Sequence, residues 1–362
     1  MQRTKPPFRA DMVGSLLRTA PIKDARAKRE KGEISAAQLK EVEDREIEKI
    51  IKKQEEIGLK LATDGEFRRS WWHFDFFSML DGVELDAVSI SPPPFEHHKA
   101  VMLALGRGKH VLCEKPLAQS VEQAEEMMAA AKRAGTACGI SFEFRFDASR
   151  QALKELVIND HLGPLREVEY THLTTMLRRD GTRKRGWWFE KRRGGGMIQA
   201  IGSHMIDSVT WLAGRPPKSY QGFSRTANVE RHDADGPFKS DVADGMFVLL
   251  DYGDGLVGRI TLDGTNVVNS STLTVYGEDR TAAATSDQLA WAKLFTVDAK
   301  ENSELELAKS PYEHFKSVQA NVPLFMLLLD QFALAIEGKP NTLPSFEDGL
   351  LVQRVMAAVG YE

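Results

Sequence analysis

Apolar side chains at Leu39, Val42, Ile47, Ile50 and Ile51 form one stripe along a segment otherwise rich in Lys and Glu, the pattern of a helix with one buried face. The segment opens at Ser35 with S-A-A-Q, a capping box in which the Ser hydroxyl and the Gln side chain each satisfy a backbone N–H left free at the helix start. Gly58 stands where a left-handed C-terminal cap is needed. Leu59 to Thr63 reads as a short buried strand that ends in the turn Asp64-Gly65-Glu66.

From Asp86 the pattern changes to short β-rich runs alternating with helical ones. The spacing predicts strands over Val88 to Ser91, His110 to Glu114 and Ala137 to Phe142, and helices over His98 to Leu105 and Ser120 to Ala134. The second helix opens with another capping box, S-V-E-Q, and closes at Gly135. Strand, helix, strand, helix, strand implies a parallel sheet with right-handed crossovers. Beyond residue 145 the order becomes helix, strand, helix, then strands with hairpin signals, then long helices, which implies an antiparallel sheet in an α+β domain. Gly253, Gly255 and Gly258 have the spacing of a dinucleotide-binding fingerprint, but strand-like runs flank them on both sides, so Gly-Asp-Gly is expected to be a hairpin turn.

The composition is that of an ordinary globular chain, 42% hydrophobic and 28% charged, so a packed core is available. With 362 residues, two domains are expected. The net charge of -4 supplies no global field for a polyanion, so a small molecule is the expected partner, with no nucleic acid and no membrane. The longest uncharged apolar run, Val322 to Leu329, is far short of a bilayer span, and the first residues lack the apolar core of a secretory signal. Cys113 and Cys138 are the two cysteines and make no disulfide framework; a cytoplasmic location is expected.

The densest chemical signal is H-V-L-C-E-K-P, residues 110–116, which places Glu114 and Lys115 directly after an apolar strand, at the sheet edge where open α/β folds bind ligands. A second is Gly194-Gly195-Gly196, followed by Gly202-Ser203-His204 and Asp207. Ser203 can cap a helix that starts at His204, whose cationic form the helix dipole would then disfavour. His204 is accordingly the candidate base, although Asp207 one turn later could instead pin it structurally. No metal site is expected.

The string DAVSISPPPFEHHKAVMLALGRGKHVLCEKPLA (86–118) resembles the fourth and fifth strands of the Gfo/Idh/MocA oxidoreductases, and SFEFRF (141–146), GGGMIQAIGSHMIDSVTWLAG (194–214) and SFEDGLLVQRVMAA (345–358) match the same family in its own order. The resemblance implies an NAD- or NADP-dependent oxidoreductase acting on a sugar or polyol. It places Lys115 beside the nicotinamide and the reacting hydroxyl, His204 as the catalytic histidine, and Pro93, His97 and Glu114 with Lys115 around the cofactor. It also implies a homo-oligomer formed through the open face of the antiparallel sheet. Many members carry an Asp four residues before the histidine; here that place is Ala200. The basic run Arg183-Lys184-Arg185 and Lys191-Arg192-Arg193 around Trp187-Trp188 could hold an acidic sugar or be a solvated loop.

Residues 1–85 instead resemble the start of the cobalamin-independent methionine synthase barrel, through FRADMVGSLLRTA (8–20) and LATDGEFRRSWWHFDFF (61–77), with Met12 where that family often has His. Asp64 and Glu66 match residues near that family's amino-acid substrate, but the cysteine-bearing zinc ligands have no counterpart, which argues against methyl transfer. The expected fold is α/β plus α+β: a segment 1–85, a partial Rossmann-like parallel sheet over 86–145 with its early strands replaced, and a substrate and oligomerisation domain over 146–362 with a large, mostly antiparallel sheet and C-terminal helices. Leu59 to Thr63 is expected to add beside Val88 to Ser91, and the missing glycine fingerprint to weaken or abolish cofactor binding. A non-catalytic binding protein or a misjoined chimera is the alternative.

Overall fold

The computed structural model of the chain describes residues 19–56, 85–179, 183–290, 292–298 and 301–361. The chain divides into two compact units, Met1–Glu84 and Leu85–Glu362.

In the first unit, α1 (Ala20–Glu30) and α2 (Ala36–Glu56) pack around Ile22 and Ile47, with Ile50 and Ile51 against them. The capping box predicted at Ser35 forms: Gln38 N–H donates to Ser35 Oγ at 3.2 Å, and Ser35 N–H to Gln38 Oε1 at 2.8 Å. Gly58, the strand predicted over Leu59 to Thr63 and its pairing beside Val88 lie outside the described residues, as do Asp64 and Glu66.

The second unit opens as predicted with alternating strands and helices: β1 (Ala87–Ile90), α3 (His97–Leu105), β2 (His110–Cys113), α4 (Val121–Ala134) and β3 (Cys138–Ile140). The strands pair in parallel in the order β1-β2-β3. Ser120 caps α4 by accepting from Gln123 N–H, and Gly135 closes it at φ 65°. The other half of the predicted box is displaced by one residue, because the Gln123 side chain takes the N–H of Gln119 rather than that of Ser120.

Next come α5 (Ala148–Ile158), β4 (Leu165–Leu173) and α6 (Ser203–Ala213). The strands β5 (Ser219–Arg225), β6 (Glu230–Asp233), β7 (Gly236–Lys239), β8 (Gly245–Gly253), β9 (Leu256–Asp263), β10 (Ser270–Gly277), β11 (Thr281–Ser286), β12 (Lys293–Val297) and β13 (Asn302–Leu305) follow, then α7 (Val322–Ile336) and α8 (Phe346–Ala358). Eight strands form one sheet in the order β13-β12-β11-β10-β4-β9-β8-β5, antiparallel except for the β4–β9 pair. Buried and exposed positions alternate along β8 and β9, as one covered and one open face require. Helix α6 lies on the covered face. A Cβ on Gly258 of β9 would come within 2.9 Å of Val209 of α6, so the third glycine of the apparent fingerprint is a close-packing residue. The other two, Gly253 and Gly255, flank Asp254 in the β8–β9 turn with positive φ at all three, the hairpin expected from the flanking runs.

Candidate functional site

The apolar run Val111-Leu112-Cys113 buries β2 inside the parallel sheet, and Glu114 N–H still donates to Ile90 O at 2.8 Å, so the chain leaves the sheet only at Glu114 and Lys115. The carboxyl ends of β1 and β2 therefore meet. Together with Trp187, Trp188, Gly194, Gly196 and Ala200 they line a cavity of about 420 Å³, whose other walls are Ser91 to Pro94 and Glu114 to Pro116. This volume lies within the usual range for small-molecule sites.

Lys115 is the cation of this cavity, and its Nζ donates to the backbone carbonyl of Ala200 at 2.8 Å. Ala200 lies in a π-helical turn, Ile198–Gly202, that runs directly into α6. The residue that departs from the family pattern thus meets Lys115 through its main chain. Glu114 is mostly buried, which raises its carboxyl pKa, while the neighbouring Lys115 opposes the shift.

Pro93 lines the cavity directly; His97 does not. His97 is fully buried, with Nδ1 2.8 Å from Pro116 O and Nε2 2.9 Å from Pro92 O, so its ring ties the loop after β1 to the loop after β2. Burial lowers its pKa against the pull of those carbonyls.

His204 is also enclosed, 2% exposed and behind the cavity wall rather than in it. Two local expectations are corrected here. Ser203 is no N-cap: the π-helical turn continues into α6 through it, and its hydroxyl donates back to Gln199 O at 2.6 Å. The helix dipole is therefore not what disfavours the imidazolium of His204. Burial is the main cause of its strongly lowered pKa, followed by the positive charges of Lys115 and Arg150. Nor does Asp207 pin His204. Its carboxylate accepts from Arg145 Nε at 3.0 and 3.2 Å, and Arg145 also meets Asp348 at 3.0 Å.

The neighbour of His204 is Glu143, a residue that the motifs did not single out, whose Oε1 lies 3.8 Å from His204 Nε2. Glu143 is 4% exposed, and burial raises its pKa from the ordinary 4.5 to about 8. A signal was present in the sequence: in Phe142-Glu143-Phe144 the carboxyl is flanked by aromatic residues, a setting that offers no solvent.

The basic run upstream is largely occupied. Arg185 is paired with Asp233 at 2.7 Å, Lys191 donates to Gly360 O, and Arg192 and Arg193 face Glu190. Arg183 stacks over the Trp188 ring, 4.2 Å from its centroid.

With this geometry in view, residues 12–142 match the model of the oxidoreductase family with an NAD-binding Rossmann fold, and residues 150–283 match the GFO/IDH/MocA C-terminal domain. The chain belongs to the Gfo/Idh/MocA oxidoreductase family. The Rossmann match begins at residue 12, so the Gfo/Idh/MocA likeness reaches back into the segment that the motifs set apart from it. Over 84 residues the chain is 61% identical to the uncharacterized protein YxjG of Bacillus subtilis (strain 168), and it spans 22% of that relative's length. D-glucoside 3-dehydrogenase of Escherichia coli (strain K12) is 29% identical over 293 residues, 78% of either chain. Levoglucosan dehydrogenase in complex with NADH shares the fold, with a TM-score of 0.68, 22% identity and 80% of either chain covered. As in the Gfo/Idh/MocA structures, a Rossmann-like parallel sheet precedes a large, mostly antiparallel one. Among the described residues no helix is long and apolar enough to cross a membrane.

Proposed function

We propose that this chain is an NAD(P)-dependent dehydrogenase acting on a hydroxyl-bearing carbon of a sugar or polyol, with Lys115 at the reaction centre. The observation that carries the reading is the position of Lys115: at the carboxyl edge of the parallel sheet, in the wall of a cavity, with its ammonium anchored on Ala200 O. The family supports hydride chemistry, and the relatives named D-glucoside 3-dehydrogenase and 1,5-anhydro-D-fructose reductase support a sugar.

The residues present fit the ring end of a nicotinamide dinucleotide. Pro92 to Pro94 and the two tryptophans offer flat apolar walls, and Glu114 and Lys115 offer the polar groups that orient a bound ring. When bound, the nicotinamide accepts or returns a hydride. The chain's own residues do the rest. An ammonium has three N–H donors; Ala200 O takes one from Lys115 and leaves two to hold and polarise the substrate oxygen. Pro93 and Glu114 bound the cofactor side of the cavity, His97 holds the two loops in register, and His204 acts from behind Lys115 rather than on the substrate. The open face of the large sheet, with Phe223, Leu249 and Val257 exposed, supports a homo-oligomer.

Titration of NADH and NADPH against tryptophan fluorescence tests the cofactor, because Trp187 and Trp188 line the cavity. Saturable quenching is expected. A panel of sugars and polyols followed at the nicotinamide absorbance then tests turnover, and Lys115→Ala is expected to lower kcat at least 100-fold, the scale of losing a positioned proton-transfer or charge-stabilising group. An unchanged rate removes Lys115 from the mechanism, and no quenching at millimolar cofactor favours a non-catalytic binding protein.

A further inference from the structure

Two buried titratable groups face each other behind Lys115, and each carries one atom without a hydrogen-bond partner. Glu143 Oε2 and His204 Nδ1 have no hydrogen-bond partner among the described residues, and the 3.8 Å between Glu143 Oε1 and His204 Nε2 is an ion-pair distance too long for a direct hydrogen bond. Buried groups of this kind are normally paired, so two orphaned atoms on adjacent titratable side chains mark a site held ready for a proton. Phe142 and Phe144 pack on the His204 ring, with centroids at 5.9 and 4.4 Å, and keep solvent from it. The charged groups that bear on the pair come from two directions: Lys115 and Glu114 after β2, and Arg150 on α5. Arg150 is itself committed, with Nη2 donating to Tyr170 Oη and Leu289 O.

We propose that Glu143 and His204 form an electrostatically coupled pair, in which Glu143 is a positioning residue that sets the charge Lys115 faces. This rests on the dehydrogenase reading above for its role, but not for its existence. With one proton on the pair, held by Glu143 as a carboxylic acid beside a neutral imidazole, the pair is neutral as a whole. Loss of that proton leaves a carboxylate beside a neutral ring, a net negative charge behind the Lys115 side chain. Glu143 thereby supplies, from the loop after β3, the carboxyl group that the π-helical turn lacks at Ala200.

The test is a pH titration of the whole chain labelled with 13C at histidine Cε1, the His204 resonance being identified by its loss in His204→Gln. In the unsubstituted protein that resonance is expected to step near pH 8, where Glu143 gives up its proton. In Glu143→Gln, which keeps the shape and removes the ionisation, the step is expected to vanish, and in Glu143→Asp to persist at a shifted pH. A flat His204 resonance in the unsubstituted protein, or a step that survives in Glu143→Gln, overturns the pairing. If Glu143→Gln does not fold, Glu143→Asp decides: an unmoved step there overturns it equally. Where turnover is measurable, Glu143→Gln is expected to lower kcat about tenfold, leave KM within twofold and flatten the limb of the pH profile near 8. Unchanged kcat and profile overturn the role. Absence of turnover in the unsubstituted protein counts against the dehydrogenase reading alone, since the NMR result stands without it.

Discussion

Arg145 shows how much a single side chain can carry in this fold. It is 7% exposed, with the carboxylates of Asp207 and Asp348 both against its Nη2, and the two hold its pKa above the usual value against burial. Removing one member of a buried ionic group strands the others. Arg145→Ala is therefore expected to lose about 3–5 kcal/mol in urea unfolding, whereas truncating the exposed Arg166, paired with Glu278, is expected to lose about 1 kcal/mol or less. Glu143 works in the opposite sense. Its folded pKa, about 8, is above the ordinary 4.5, so between those values the folded chain keeps a proton that the unfolded chain has released. Its contribution to stability is thus greatest below about pH 4.5 and declines as pH rises, by at most roughly 1.4 kcal/mol per pH unit, until the folded carboxyl ionises. Thermal unfolding of Glu143→Gln against the unsubstituted protein from pH 5 to 8.5 reads this directly. The variant is expected to gain relative stability as pH rises, and parallel curves would falsify the raised ionisation.

Among the elements, the glycine segment and the π-helical turn after it decide the shape of the cavity. Gly196 has φ near 100°, and a Cβ there would lie 2.9 Å from Val242 Cβ and nearer still to the Tyr361 hydroxyl, which donates to Gly195 O at 3.2 Å. Gly196→Ala combines backbone strain with a clash, so about 1–3 kcal/mol of stability is expected to be lost, together with weaker ligand binding because Gly196 lines the cavity. Calorimetry and the fluorescence titration on the same variant check both. The triple glycine is conspicuous in the sequence, but the partners that require it, Val242 and Tyr361, are 46 and 165 residues further along the chain and no local pattern points to them. The same limit explains Ser203. A Ser before a helical stripe is read as a cap, but the turn before it is already helical in another register, and the hydroxyl serves Gln199 instead.

Over the whole second unit, a single apolar cluster joins Ile140 of the parallel sheet to Ile260 of the antiparallel one, through Met205, Val209 and Leu212 of α6. Both isoleucines are almost fully buried. A shared core predicts shared fate: Ile140→Ala and Ile260→Ala should each lower the stability of the same urea transition by about 2–5 kcal/mol, with near-UV circular dichroism and tryptophan fluorescence remaining coincident. Separate transitions for the two sheets would refute a common core. By itself the sequence determined the alternation of β1 to β3 with α3 and α4, the helix start at Ser35, the β8–β9 hairpin and the placement of Glu114 and Lys115 after β2, because each depends on periodicity, capping or turn chemistry within a few residues. Tertiary structure alone decided that Lys115 reaches Ala200 O across 85 residues, that His97 is a buried tie between two loops, that Asp207 belongs to Arg145, and that Glu143 stands against His204. These are meetings of polar groups from distant elements. Their free energy comes from shared burial and desolvation, which exist only once the sheets have closed on α6.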